Sequence, residues 1–283
     1  MVKEKIDLSS WLVASDIDGT INNKARRLVQ KNYDMVHKFV DEHGGHFTLA
    51  SGRSPESMRK HFKRLDIPDG KAVVLNGAGI YDFASEQMVW QSPLNEHCID
   101  MVRKSVQKFP FLAFQVVSDK AVYLFRPTPA SRILAINAKK EIKYFYDFEK
   151  IPKENWYKVI YSGFPAQMKL LEKYIVSMSN TTDNLMYSSV CSYEMVNEDT
   201  NKGVAVLKLA EMLGVDKSKT AAIGDYFNDY QMLRRVALPA CCGSSLVCHV
   251  AFASSHAAAL SGFPGHDPAC CRRLLFSRPH LIR

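Results

Sequence analysis

The chain has 283 residues, 47% of them hydrophobic, with 37 basic and 29 acidic side chains, a formal charge of +8 and seven cysteines. The length excludes a mini-protein and fits one domain with a large insertion, or two domains. No apolar run approaches the ~20 residues of a membrane span, MVKEKIDLSS at the start has no signal-peptide core, and an odd number of irregularly spaced cysteines argues against a disulfide framework. No membrane partner is expected, and the expected setting is reducing and cytoplasmic. The positive charge hints at anionic partners, but much of it falls in the last segment, and no basic helix interleaved with aromatics suggests nucleic acid.

Residues 11–14, WLVA, form an apolar run that meets Asp16 and Asp18 and is cut off by Gly19 and Thr20. This pattern predicts a buried strand whose end opens into a loop. Ligands of open α/β sheets lie beyond the carboxyl ends of the strands, and residues i and i+2 of an extended chain share a face. Both carboxylates are therefore aimed where a ligand would sit. Taken alone the pair is also compatible with an acidic turn; its mutual repulsion is useful only to a cation or to phosphoryl chemistry.

A helix is predicted over 24–43, with Val29, Tyr33, Val36 and Val40 at helical spacing and Gly44-Gly45 as its stop. Strand 46–50 runs into Ser51-Gly52-Arg53. Ser54-Pro55-Glu56 then has the composition of a helix start: a capping hydroxyl, proline in the first position, an acid in the first turn. A hydroxyl, a glycine and a cation between a strand end and a helix N-terminus suit an anion, or an ordinary capped turn. A third strand, 72–75, meets Asn76-Gly77-Ala78. Strand, helix, strand, helix, strand predicts a parallel sheet with right-handed crossovers.

From about residue 81 the texture changes. Residues 80–83 and 87–90 suggest a hairpin, 96–108 a helix, 111–118 and 121–126 a second hairpin, 156–162 a strand, 165–178 a helix and 185–196 a strand. This mixture predicts an α+β insertion whose aromatics form its core. Asn201-Lys202-Gly203 then opens a helix with Val206, Leu209, Ala210 and Leu213 on one face. Lys202 at that N-terminus opposes the helix dipole, which a bound anion explains better than a surface position. Strand 220–223 ends in Gly224-Asp225, and Asn228-Asp229 opens a helix over 230–235.

Asp16 with Asp18, Ser51, and Asp225 with Asp229 thus lie at three strand ends, with Lys202 at a helix start. On these residues the chain resembles the haloacid dehalogenase superfamily of phosphohydrolases, and within it the Cof-type branch, subfamily IIB. The matching stretches are DIDGT at 16–20, ASGR at 50–53, NGA at 76–78, NKG at 201–203 and GDYFND at 224–229, and the likeness spans roughly residues 10–236. It implies an α/β fold: a Rossmann-like parallel-sheet core from residues 1–82 and 196–283, with an inserted α+β cap of type C2B at 83–195. It implies Asp16 as the nucleophile that takes the phosphoryl group, and Asp18 as the acid that protonates the leaving oxygen and then activates water. Mg2+ would be bound by Asp16, the backbone carbonyl of Asp18 and Asp225, supported by Asp229. Ile17, Ser51, Gly52 and Lys202 would hold the phosphate, with Asn228 near it, and Arg53, Asn76 and Gly77 would form the rim facing the cap.

Elementary electrostatics agrees with this assignment. Four aspartates beside a phosphate dianion need Mg2+ and Lys202 as counter-charge. Asp18, the carboxylate not required as an ionic ligand, is the one expected to carry the proton of a general acid. The expected function is a Mg2+-dependent phosphatase of small phosphorylated metabolites such as sugar phosphates. The alternatives are a phosphomutase or phosphotransferase with the same intermediate, or a catalytically impaired ligand-binding protein. No sequence feature sets an oligomeric state.

The chain departs from the family pattern in two places. Ser51 stands where threonine is commoner, which keeps the hydroxyl. From about residue 237 to 283 the chain is atypical: past Asp229 the only acid is Asp267, while Cys241, Cys242, Cys248, Cys270 and Cys271 crowd together. The cysteine and histidine spacings do not match zinc sites. A basic interaction tail is one explanation; the favoured expectation is a shift of reading frame near residues 240–243. The sheet would then lack proper cover at one edge.

Overall fold

The computed structural model describes residues 8–23, 27–67 and 70–241. The atypical segment from 242 onward, with Cys242, Cys248, Cys270 and Cys271, lies outside the described residues. β1 (Leu12–Ser15) leads to α1 (Gln30–His37), which continues as a π-helical turn over Lys38–Glu42. The helix starts later than its spacing predicts. Asn22 bridges to Leu28, and Asn23 accepts from the Arg27 amide while its own amide bonds the Arg27 carbonyl. An asparagine side chain that competes with the backbone in this way favours a turn over a helix.

β2 (His46–Leu49), α2 (Pro55–Leu65) and β3 (Lys71–Val74) follow. α2 begins as its sequence predicts, with the Ser54 hydroxyl accepting from the Ser57 amide and Pro55 in the first turn. Next come β4 (Gly79–Asp82) and β5 (Gln87–Gln91), then α3 (Glu96–Lys108), β6 (Ala113–Ser118), β7 (Ala121–Phe125), α4 (Pro129–Ile136), β8 (Glu141–Phe145), β9 (Trp156–Ser162), α5 (Pro165–Val176), β10 (Leu185–Ser189) and β11 (Ser192–Met195). The chain closes with α6 (Lys202–Met212), β12 (Thr220–Gly224), α7 (Tyr230–Arg235) and β13 (Leu238–Cys241).

The fold is α/β. A parallel sheet runs in the order β13-β12-β1-β2. β3 lies beside β2, joined by a bridge between Ala50 and Val73 and by the Ser51 amide bonding the Val73 carbonyl at 3.0 Å. β4 pairs antiparallel with β3 and β5 antiparallel with β4, so residues 87–91 belong with this sheet by hydrogen bonding. On one face, Leu12 and Ala14 pack against Val206, Leu209, Met232 and Leu233 of α6 and α7. On the other, Phe47 and Leu49 pack with Met58, Phe62 and Leu65 of α2.

A separate six-stranded sheet has the order β10-β11-β9-β6-β7-β8. The single strand predicted over 185–196 is a hairpin, β10 and β11, that turns at Val190-Cys191. α4, β8 and β13 are not foreseen by the sequence. β8 runs along an edge with alternating partial exposure, so it carries no apolar run. β13 contains Pro239, which an edge strand tolerates and a central one does not. Among the described residues, no helix is long and apolar enough to cross a membrane.

The six-stranded sheet has its own apolar core of Phe114, Phe125, Phe148, Trp156 and Tyr161 against Met101, Val102, Leu171 and Ile175 of the helices. Trp156 is fully buried, edge-on to Phe148. Trp156→Ala is expected to cost about 3–5 kcal/mol, read as a shift in urea unfolding followed by circular dichroism.

Candidate active site

The parallel register brings the strand ends together. Ser15 of β1 pairs with Ile223 of β12 on one side and with Leu49 of β2 on the other. The Asp16 amide bonds the Ile223 carbonyl at 2.9 Å, and the Ala50 amide bonds the Ser15 carbonyl at 2.8 Å. Asp16, Ser51 and Asp225 therefore emerge side by side. α6 points its first residue at the same place because the Asn201 side chain caps it, accepting from the Gly203 and Val204 amides.

Lys202 sits at the centre of the cluster. Its ammonium is buried and donates to Asp16 Oδ1 at 2.7 Å and to Asp229 Oδ1 at 2.6 Å. The anion that its helix position suggests is thus supplied, in this structure, by the protein's own carboxylates. Asp229 is held on its second oxygen by the backbone amides of Asp225 and Tyr226 at 3.0 and 3.1 Å. Thr20 donates to Asp225 Oδ1 at 3.1 Å. Gly19, at φ +90, lies so close beneath Asp225 that a Cβ there would stand 2.2 Å from its Oδ2; only glycine allows both the turn and the approach.

Burial, followed by the nearby Asp229 charge, pushes the Asp16 carboxyl up to about 7, only partly opposed by Lys202. Burial and then Asp229 raise Asp225 as well. Burial works against charge on Lys202, but Asp16 and Asp229 outweigh it and raise the ammonium above its ordinary value.

The donor set fits a divalent cation. Asp16, Asp225 and Asp229 offer carboxylate oxygens within 4.8 Å of one another. Three carboxylates share one ammonium, a shortage of positive charge that a bound cation would fill. Hard oxygen donors of this kind suit Mg2+. Both Asp229 oxygens already have partners, so Asp16 and Asp225 are the better placed direct ligands.

Two candidate residues stand apart from the crowded carboxylates. Asp18 does not lie with the crowded carboxylates. Its half-exposed side chain is gripped by Arg53, with Nε and Nη2 each donating at 2.9 Å, so this guanidinium supplies counter-charge that the sequence does not reveal. Gly77 is not at an open rim. It is buried at φ +98, and a Cβ there would meet the Asn201 carbonyl carbon at 2.2 Å. Gly77 therefore lets the third strand end pack on the start of α6.

Leu75, Asn76 and Gly77 form three successive left-handed residues. Such backbone is costly for a leucine and persists only where its surroundings fix it. Here the Leu75 amide bonds the Arg53 carbonyl and the Asn76 amide bonds the Ser51 carbonyl, both at 3.0 Å. The Asn76 side chain thereby reaches out of the core to Glu194 of β11 at 2.7 Å. Asn228 contacts Asn76 at 3.4 Å. Ile17 and Ser51 are buried beside the cluster, and the Gly52 carbonyl accepts from Lys158 of β9 at 2.9 Å.

Lys158 and Glu194 carry no motif, yet they pair at 2.9 Å with both side chains almost wholly buried. The only signal in the sequence is a charge inside an otherwise apolar strand, WYKVIYS for one and SYEM for the other. A cavity of about 880 Å3 lies between the β10–β11 hairpin and residues 226–231, lined by Tyr187, Tyr193, Tyr226 and Phe227. It includes none of Asp16, Asp18, Asp225 or Lys202; the chemistry, not the volume, marks the site.

The chain is similar to a protein of Buchnera aphidicola subsp. Baizongia pistaciae named "Putative phosphatase", 25% identical over 225 residues, covering 79% of this chain and 82% of that one. Its fold matches a haloacid dehalogenase-like hydrolase from Bacteroides thetaiotaomicron with a TM-score of 0.66 at 20% identity, covering 80% of this chain and 86% of that one. It also matches the HAD subclass IIB sugar phosphatase BT4131 with a TM-score of 0.67 at 16% identity, covering 83% and 88%. With these likenesses added to the strand-end aspartates and the parallel sheet, the match to the haloacid dehalogenase-like hydrolase family over residues 13–246 shows that the chain belongs to that family and is a hydrolase.

Proposed function

We propose that the chain is a cytoplasmic, Mg2+-dependent phosphatase that hydrolyses small phosphorylated metabolites through an aspartyl-phosphate. The observation that carries this reading is the buried Lys202 ammonium held between Asp16 and Asp229 at the convergent strand ends. The pinned Asp16 carboxylate attacks phosphorus; an Asp16 oxygen–phosphorus bond forms as the ester P–O bond breaks. The departing oxygen takes a proton from Asp18. Water then attacks phosphorus, giving its proton to Asp18, and the bond to Asp16 breaks to release phosphate. A carboxylate nucleophile in this way splits one hard hydrolysis into two easier steps.

Lys202 has a third N–H beyond the two used on Asp16 and Asp229, and this one serves the phosphate, with the Ser51 hydroxyl, the backbone amides at Ile17 and Gly52, and Asn228 nearby. The phosphorylated substrate competes with Asp18 for Arg53 and frees the carboxyl for proton transfer. Asp16, Asp225 and the backbone carbonyl of Asp18, with Asp229 in support, would hold Mg2+, which would supply the charge compensation that phosphoryl transfer needs. The six-stranded sheet and its helices, within residues 83–195, serve as the cap that chooses the substrate. Asn76 and Arg53 stand on the core side of that boundary.

The test is phosphate release from p-nitrophenyl phosphate and a panel of small phosphorylated metabolites. Activity is expected to fall to background on EDTA treatment and to return with MgCl2. Turnover indifferent to EDTA would remove the metal from this reading.

A further inference from the structure

The loop that carries Asp18 is held against α2 at two points. The loop closes on itself: the Asn22 amide bonds the Ile17 carbonyl at 3.0 Å, and a backbone bridge pairs Asp18 with Asn22. The positions of Asp18 and Asn22 are therefore linked. Arg53, just before α2, grips Asp18 and also donates to the Ser57 hydroxyl at 3.3 Å. His61 lies four residues beyond Ser57, on the same face of the helix. Its Nδ1 meets the Asn22 side-chain nitrogen at 3.3 Å, with both side chains buried. The helix face that starts at the grip on Asp18 thus also holds the far end of its loop.

The second contact runs one way. An amide nitrogen can only donate, so His61 Nδ1 accepts and the ring proton sits on Nε2. Burial first, then the charges of Arg53 and Lys60, lower the imidazole to about 4, so at neutral pH the ring is uncharged and Nδ1 keeps its lone pair. Nε2 is buried with no hydrogen-bond partner among the described residues, a condition that native folds seldom tolerate. What Nδ1 does explains a histidine kept here at that cost. The contact becomes decisive when a phosphorylated substrate takes Arg53. Among the described residues, Asn22 to His61 is then the side-chain hydrogen bond left between this loop and α2. Thr20 ties the loop to Asp225, and Asn32 of α1 donates to the Ile21 carbonyl, so its other sides are already fixed.

We propose that His61, through Asn22, is a positioning residue that keeps the Asp18 carboxyl aimed at the leaving oxygen after Arg53 has let go. The proposal rests on the phosphatase reading above and adds the group that aims its acid.

Two esters that differ by one nitro group test it on the full-length protein with Mg2+. Phenolate leaves poorly and needs the proton of Asp18, whereas p-nitrophenolate leaves without one. The comparison uses kcat/KM, which reports the steps up to ester cleavage and not the later attack of water. His61→Leu is expected to lower kcat/KM for phenyl phosphate about tenfold, a part of the ~10^2–10^4 that a general acid contributes. It is expected to leave p-nitrophenyl phosphate at the wild-type value. His61→Asn, whose side-chain oxygen can accept from Asn22 in place of Nδ1, is expected to restore phenyl phosphate. His61→Leu strands the Asn22 donor, so the double variant Asn22→Leu with His61→Leu is measured beside it. Replacing both partners by apolar groups is close to neutral for folding, and the same split is expected there. An equal loss on both esters, or no loss on phenyl phosphate in either variant, overturns the proposal. Asp18→Asn is the reference and is expected to show the split in full. If it does and the His61 variants do not, the positioning role alone fails. If Asp18→Asn treats both esters alike, the acid role of Asp18 falls and the proposal with it. A wild type that hydrolyses neither ester ends the phosphatase reading itself.

Discussion

Asp16→Asn is expected to abolish turnover, by at least about 10^4-fold, the scale on which covalent enzymes lose rate without their nucleophile. The amide keeps the shape of the carboxylate, and its oxygen can still accept from Lys202 Nζ, now 2.7 Å from Asp16 Oδ1. What it loses is the anionic lone pair that attacks phosphorus. Folding should not suffer. Burial and Asp229 raise Asp16 to about 7, so ionising it is costly in the metal-free protein, and a neutral amide avoids that cost. The signature is therefore a dead enzyme with a melting temperature no lower than wild type in EDTA. Phosphate release measured with Mg2+ reads the first half and calorimetry the second. Residual turnover near the wild-type rate would take Asp16 out of the nucleophile's place.

How much of this could be seen beforehand depended on the range of the interaction concerned. The strand end at Asp16 was legible because an apolar run, two aspartates and a glycine are local, and so was the α2 start at Ser54-Pro55-Glu56, which the Ser54 hydroxyl caps as its composition suggests. The late start of α1 was not, because a turn made by Asn22 and Asn23 overrides an acceptable helical spacing. The grip of Arg53 on Asp18 joins residues 35 apart, and the Lys158–Glu194 pair depends on the order in which β9 and β11 meet. Neither residue type says which partner it will find. Gly77 illustrates a subtler limit: glycine announces freedom of backbone, but only the packing shows that the freedom is used for a close approach to Asn201.

Lys202→Met is expected to be the most damaging single change to the fold of the site. The ammonium is fully buried and is the only cation in contact with Asp16 or Asp229 among the described residues. Methionine fills much of the same volume, so the loss is one of charge and not of packing. Removing one partner of a buried ion pair leaves the other charges stranded, which costs about 3–5 kcal/mol. In EDTA the variant should therefore unfold at a markedly lower urea concentration than wild type. Mg2+ should return part of that stability, since a cation that binds only the folded chain stabilises it by mass action and here also supplies the missing counter-charge. Activity should not return with it, because the phosphate would still lack the third Lys202 N–H and Asp16 would lose the contact that fixes its orientation. Combining Lys202→Met with Asp229→Asn separates the two effects: one stranded charge is gone, so the double variant should be more stable than Lys202→Met alone yet equally inactive. A Lys202→Met protein that unfolds at the wild-type urea midpoint in EDTA would mean that this ammonium does not hold the carboxylate cluster together.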